Sequence, residues 1–387
     1  MTDFFTEFDA ERWHFTYVDE NDHDLPVQQV GIVAIFSLVD AYFPARRKGI
    51  AEAFSLYKSL YGDKIKGGYR ADKGMTVRPL SKMSFDDYQY HIASSDPMDV
   101  IEFKCMSTLS LKHASNYGFS VYSPAGWYEQ VHKRVSTVKI YLPVDELRGE
   151  GKSRFESFLL KCCTLLRPFH GAAGLGIQDC HDWENYQTHG HETVWSYRGI
   201  DLCPPSGNKR WRDGYVNLNW YTFIAHHWLA PLGTPEELQA KLDDPRIALL
   251  PYEWGTVIRA GDWPALGKAG TDPRPELYVK VNDALRPLRV QDIGSLHYGT
   301  FEGEVQLNRV TSNLWLRRFD TPQEVRAYID TSADHRYLRM PSGLPCPWPG
   351  LWICEQRPDQ GQHSFRHAEP LPEVDGHAVT WRLVETH

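Results

Sequence analysis

Four histidines, His170, His181, His189 and His191, lie in one stretch with Asp179, Cys180 and Asp182. Imidazole, thiolate and carboxylate are the groups that hold a transition metal, and a metal would suit a hydrolase. The spacing argues against it. No pair has the i, i+4 separation of a His-Glu-x-x-His helix, and His189-Gly190-His191 is easily met by chance among 17 histidines. Cys346 and Cys354, with His363 and His367 nearby, lack the tight Cys pairing of a zinc knuckle. Neither metal nor cofactor is expected. A metal-dependent hydrolase using the His170–His191 stretch remains the alternative.

Other chemistries find less support. There is no Gly-x-Ser-x-Gly for a serine hydrolase. Cys162 and Cys163 fall on a helix with a buried stripe, where a thiol stays protonated and inert. The glycines of His170–Ile177 do not end in the Gly-Lys-Ser/Thr of a phosphate loop. No catalytic residue is expected.

These residues must be carried by a folded body. Hydrophobic residues make up 42% of the 387 and aromatics 13%, which is globular composition with room for sizeable cores. Val30–Leu38 is an apolar strand candidate. Helical periodicity covers Gly49–Tyr61 and Ser153–Leu166. Between them, residues 85–142 alternate at Tyr88, Tyr90 and Ile92, at Ile101, Phe103 and Cys105, at Tyr117, Phe119 and Val121, and at Val138, Ile140 and Leu142. That pattern predicts antiparallel strands.

Tyr215–Leu218 predicts a short strand that runs into a helix carrying Trp220, Phe223, Ile224, His227 and Trp228 on one face, with His227 as a core histidine. Thr234-Pro-Glu-Glu opens the next helix with an N-cap and an N1 proline. Ile247–Leu250 and Gly255–Ala260 form a strand pair, and a helix follows Pro275. The class is α+β: antiparallel sheets with packed helices in two similar-sized halves, about 26–178 and 213–290, side by side. Residues 178–213 form a long polar and aromatic connection. The Trp- and Pro-rich residues 335–387 form a small added β module that includes a strand at Val379–Val384.

The net charge is -8, which disfavours direct contact with nucleic acid. It is concentrated early: Asp3, Glu7, Asp9, Glu11, Asp19, Glu20, Asp22 and Asp24 stand against Arg12 alone in residues 1–30. The start has no basic and apolar signal segment, no apolar run approaches 18 residues, and seven cysteines, two adjacent, do not form a disulfide framework. A cytoplasmic protein without membrane contact is expected. Oligomeric state stays open.

Four stretches in order resemble the bacterial type VI secretion immunity family: Leu165–Gly174; Tyr197-Arg-Gly-Ile-Asp-Leu202, with Arg198 where proline is usual; Val216–Ile224; and Ile258–Gly267 with Leu285–Arg289 and Trp315–Phe319. The resemblance covers about residues 25–320. It divides the chain into an acidic segment (1–25), an immunity-type domain (26–320) and the 335–387 module. It implies an antidote, not an enzyme, that binds a cognate secreted effector toxin acting in the cytosol, with a basic nuclease domain as the expected partner. An inhibitor that removes the toxin's product is a further possibility. The partner-binding candidates are Asp19, Glu20, Asp22 and Asp24, and then Asp179, Asp182, Trp183, Glu184 and Trp211, because charge-assisted contacts and Trp anchors dominate tight interfaces.

Overall fold

In the computed structural model the described residues are 3–19, 21–180, 187–203, 209–296, 300–301, 304–331 and 338–386. Its frame is one antiparallel sheet. The strands are β1 (Tyr17–Asp19), β2 (Asp22–Leu38), β3 (Gly67–Arg70), β4 (Arg78–Pro79), β5 (Ile101–Met106), β6 (Gly118–Ser123), β7 (Ser136–Leu142), β8 (His170–Asp179), β9 (Tyr221–Ala225), β10 (Ile247–Tyr252) and β11 (Gly255–Ala260). Their order is β10-β11-β9-β8-β2-β7-β6-β5-β3-β4, with β1 paired to the start of β2. The two halves thus lie side by side and meet where β8 pairs with β9. The central pairing of β2 with β8 runs from Gln28↔Asp179 to Ser37↔His170. Strands this central are buried on both faces and read as continuous apolar runs.

The body's helices are α1 (Phe4–Glu11), α2 (Pro44–Tyr61), α3 (Phe85–Ser94), α4 (Gly126–His132), α5 (Gly151–Leu166), α6 (Gln187–Ser196), α7 (His226–Leu229), α8 (Pro235–Leu242) and α9 (Glu276–Leu285). Helices α2 and α5 cover one face of the sheet. Phe54 and Tyr57 of α2 meet Phe119 of β6 at ring distances of 5.1 and 5.5 Å, and Phe155 of α5 meets Trp220 at 6.2 Å. Gly49 lets α2 approach α5, since a Cβ there would fall on the Leu165 carbonyl oxygen. Thr234 and Glu237 form the expected capping box on α8. The acidic N-terminal segment packs on the body: Phe4, Phe8 and Phe15 are buried in the main core.

Two predicted elements are of the other type. Tyr221–Ala225 is β9, not a helix, and only His226–Leu229 is helical. Its residues are all buried, so a run with no polar face satisfied the i, i+3, i+4 test as well as a strand test. His227 is accordingly exposed and not in the core. Residues 85–94 are α3, not a strand, opened by a Ser84/Asp87 capping box. Tyr88, His91 and Ile92 face inward on that helix. The 178–213 connection contains α6.

A short pair, β12 (Thr300–Phe301) and β13 (Glu304–Val305), precedes α10 (Arg309–Leu316) and α11 (Pro322–Thr331). The expected C-terminal module follows as β14 (Arg339–Pro341), β15 (Gly350–Cys354), β16 (Gln362–Phe365) and β17 (Thr380–Thr386), in the order β14-β17-β15-β16. Trp352, Trp381 and Leu383 centre its core, which Val310 and Leu314 of α10 and Ile329 of α11 complete. Among the described residues no helix is long and apolar enough to cross a membrane.

Candidate partner-binding surface

The segments that carry the family resemblance converge inside the protein. Asp201, almost fully buried, accepts from Asn217 Nδ2 at 3.0 and 2.9 Å and from Cys203 N at 2.8 Å. Arg318 Nη2 lies 3.7 Å from the same carboxylate. Arg318 also donates to the carbonyls of Arg198, Leu218 and Trp315 at 3.0, 3.2 and 3.2 Å, with its guanidinium over the rings of Trp315 and Phe319. Asn219 Nδ2 reaches the Leu175 carbonyl at 2.8 Å. Arg289 grips Asp320 through two bonds of 2.5 and 2.7 Å, and Asn282 adds a third at 2.8 Å. Burial would raise the Asp320 carboxyl, but these donors hold it below the usual range. Buried charge persists only where partners replace water, so these residues staple irregular loops to the sheet.

The acidic candidates are dispersed. Asp3 caps α1, Asp9 pairs with Arg148 at 2.7 Å, and Glu11 pairs with Lys268 at 2.9 Å while accepting from the Tyr197 hydroxyl at 2.6 Å. Asp19 is buried and accepts from Asn21 N in the β1–β2 turn. Asp22 and Asp24 are exposed on that hairpin. Asp179 ends β8 opposite Gln28, so the chain leaves β8 at the hairpin's end of the sheet, with Lys104 Nζ 3.5 Å from the Asp179 carbonyl. Glu20, Asp182, Trp183 and Glu184 lie outside the described residues. Trp211 is wholly buried, with its carbonyl 2.8 Å from His170 Nε2, and its ring offers nothing to a partner.

The histidines are not gathered. His170 and His191 are fully buried, and burial pushes their imidazoles down to about 4 and about 3. His189 instead stacks on Tyr17 at 4.1 Å. His181 is outside the described residues, among which no cluster of His, Cys, Asp and Glu could hold a metal. Cys346 Sγ faces the Trp348 carbonyl at 2.9 Å.

At the opposite end of the sheet from the hairpin lies a surface that the sequence did not single out. Trp127 and Val131, one turn apart on α4, are 53% and 67% exposed, which puts them on one helical face. Gly126 N donates to the Pro97 carbonyl at 2.8 Å, which sets Met98 beside that face. Gln130 Nε2 reaches the Tyr42 hydroxyl at 2.7 Å, and Tyr42 packs on Phe43 at 4.4 Å. Arg47 of α2 holds the Ser95, Asp96 and Asp99 carbonyls. Buried Glu129 accepts from Asp40 N at 2.5 Å and from Arg212 at 2.7 Å. Three segments are thereby locked together and present Phe43, Met98, Val100, Trp127 and Val131 to solvent, fringed by exposed Asp40, Asp96 and Asp99, with His132 and Lys133 at the end of α4 beyond Val131. An apolar centre with a charged rim is how partner-binding surfaces are built.

Residues 49–319 match a family model of the type VI immunity class. The chain belongs to that family, TsiV, described as type VI immunity for VRR-NUC. The match ends as α10 closes, before the C-terminal module. Among solved structures, the Pseudomonas aeruginosa T6SS protein PA0821 superposes with a TM-score of 0.73 over 84% of this chain and 93% of that one, at 20% identity. That likeness concerns the fold. No curated protein matches.

Proposed function

We propose that this immunity protein acts in the cytoplasm by binding a VRR-NUC-type nuclease effector and blocking it, without chemistry of its own. The observation that carries this reading is the acid-fringed apolar surface around Trp127 on a member of the TsiV family. A nuclease must hold a polyanion, so its working face is basic, and a carboxylate-rimmed apolar patch complements such a face. Trp127 and Phe43 are the anchors, and Asp40, Asp96 and Asp99 set the orientation. Asp22 and Asp24 on the distant hairpin add long-range attraction, which speeds encounter more than it tightens the complex.

Co-expression with the nuclease effector, followed by size-exclusion chromatography and a DNA-degradation assay, tests the reading. A co-eluting, inactive complex is expected. Separate peaks with an inhibitor-insensitive nuclease would refute it.

A further inference from the structure

Between the body and the C-terminal module lies a partly open cavity of about 60 Å³ with largely apolar walls, into which Arg198, Arg274, Arg317 and Arg318 bring charge from the body side, and Trp348 and His367 line the module side. Arg317 and Arg318 are engaged with carbonyl oxygens. Arg198 and Arg274 are not matched in this way. Arg274 gives one Nη to the Asp320 carbonyl. The Arg198 guanidinium makes no hydrogen bond or ion pair among the described residues, and burial and Arg274 both act against its charge.

The carboxylates nearby are committed elsewhere. Asp320 is held by Arg289 and Asn282, and Asp272 accepts from Lys268 N at 2.8 Å and from the Thr271 hydroxyl at 3.3 Å. Both attract these arginines only from beyond ion-pair contact. His367 is exposed at the rim, where desolvation, Arg198 and Arg274 all act against its charge, so it offers a neutral hydrogen-bonding ring. Two partly desolvated guanidiniums that face one space, with no carboxylate in ion-pair contact among the described residues, favour an anion between them. A water needs about 10–15 Å³ of such space, so the cavity holds roughly four waters or one small oxyanion, and no nucleotide.

We propose that this cavity binds a small tetrahedral oxyanion of the phosphate or sulfate class, gripped by Arg198 and Arg274 with His367 at the rim. Its occupancy clamps the C-terminal module onto the body. Planar guanidinium forks suit such an anion better than chloride. The site is independent of any toxin.

The test uses the full chain, purified free of phosphate and sulfate and titrated with inorganic phosphate, or sulfate, at ionic strength held constant with sodium chloride. Calorimetry should show one saturable site, and Tm should rise by a few degrees in step with its occupancy. In R198Q the binding heat and the Tm rise should vanish while Tm in chloride stays near wild type. H367Q, altered only at the exposed rim, should bind several-fold more weakly, and it carries the test if R198Q does not fold. Wild type and H367Q responding alike, chloride matching phosphate, or no binding heat would overturn the proposal.

Discussion

Replacing Trp127 by alanine should cripple inhibition without touching the fold. The ring is 53% exposed, and a Trp side chain offers up to about 250 Å² for burial. Roughly 130 Å² therefore remains for a partner to cover, which at about 25 cal/mol per Å² is about 3 kcal/mol. At about 1.4 kcal/mol per decade, Kd for the nuclease effector should rise by about two orders of magnitude. The dissociation rate should carry most of that change.

Surface-plasmon or calorimetric titration against the purified effector reads the constant, and nuclease activity at fixed inhibitor reads the consequence. Because the ring packs little against its own body, Tm should stay near wild type, which separates loss of contact from loss of structure. V131D, one turn along the same face, should weaken binding in the same assay. Both variants binding within twofold of wild type would refute the placement of the anchor. If they did, and a double change at Asp22 and Asp24 abolished the complex, the interface would belong at the hairpin end.

Stability should fall on acidification because His170 and His191 are held neutral. Their folded-state values lie below the ordinary 6.5, so the unfolded chain takes up protons first; the stability they confer is complete above about pH 6.5 and drains away toward pH 4, about 3 kcal/mol for each. Urea titrations at pH 7 and pH 4 should show this slope, and His191→Leu should flatten it by about half. Asp320→Ala strands Arg289 in the core, and denaturant midpoints should report a loss of about 3–5 kcal/mol. Gly49→Ala should destabilise by about 2 kcal/mol although alanine favours a helix by about 1 kcal/mol, because its methyl meets the Leu165 carbonyl; a rise in Tm would contradict the close crossing of α2 and α5.

What the sequence made legible follows periodicity backed by burial. α5 and the alternating β5 were readable because one face of each is apolar and its neighbours differ. β9 was not, because burial on both faces erases the contrast that separates period 2 from period 3.6. In α3 the aromatic alternation of Tyr88, Tyr90 and Ile92 masked the Ser84/Asp87 cap signal; Tyr90, 73% exposed, carries no packing information at all. Trp211 shows a limit of composition. Trp is as suited to a core as to an interface, and only its position under His170 decides which.

Burial likewise separates what the family resemblance can supply from what it cannot. Asp201, Asn217, Arg289 and Arg318 sit where desolvation leaves few acceptable substitutes, so their segments are recognisable in order along the chain. Phe43, Met98 and Trp127 face solvent, come from three separated segments, and meet only because Arg47 and Gln130 tie those segments together. No local pattern encodes that meeting; the one hint was the i, i+4 pair Trp127 and Val131 on a short helix between strands. The resemblance to the immunity family thus runs through segments whose polar contacts are buried in this chain. The surface proposed for the nuclease uses exposed side chains, which folding leaves free to change.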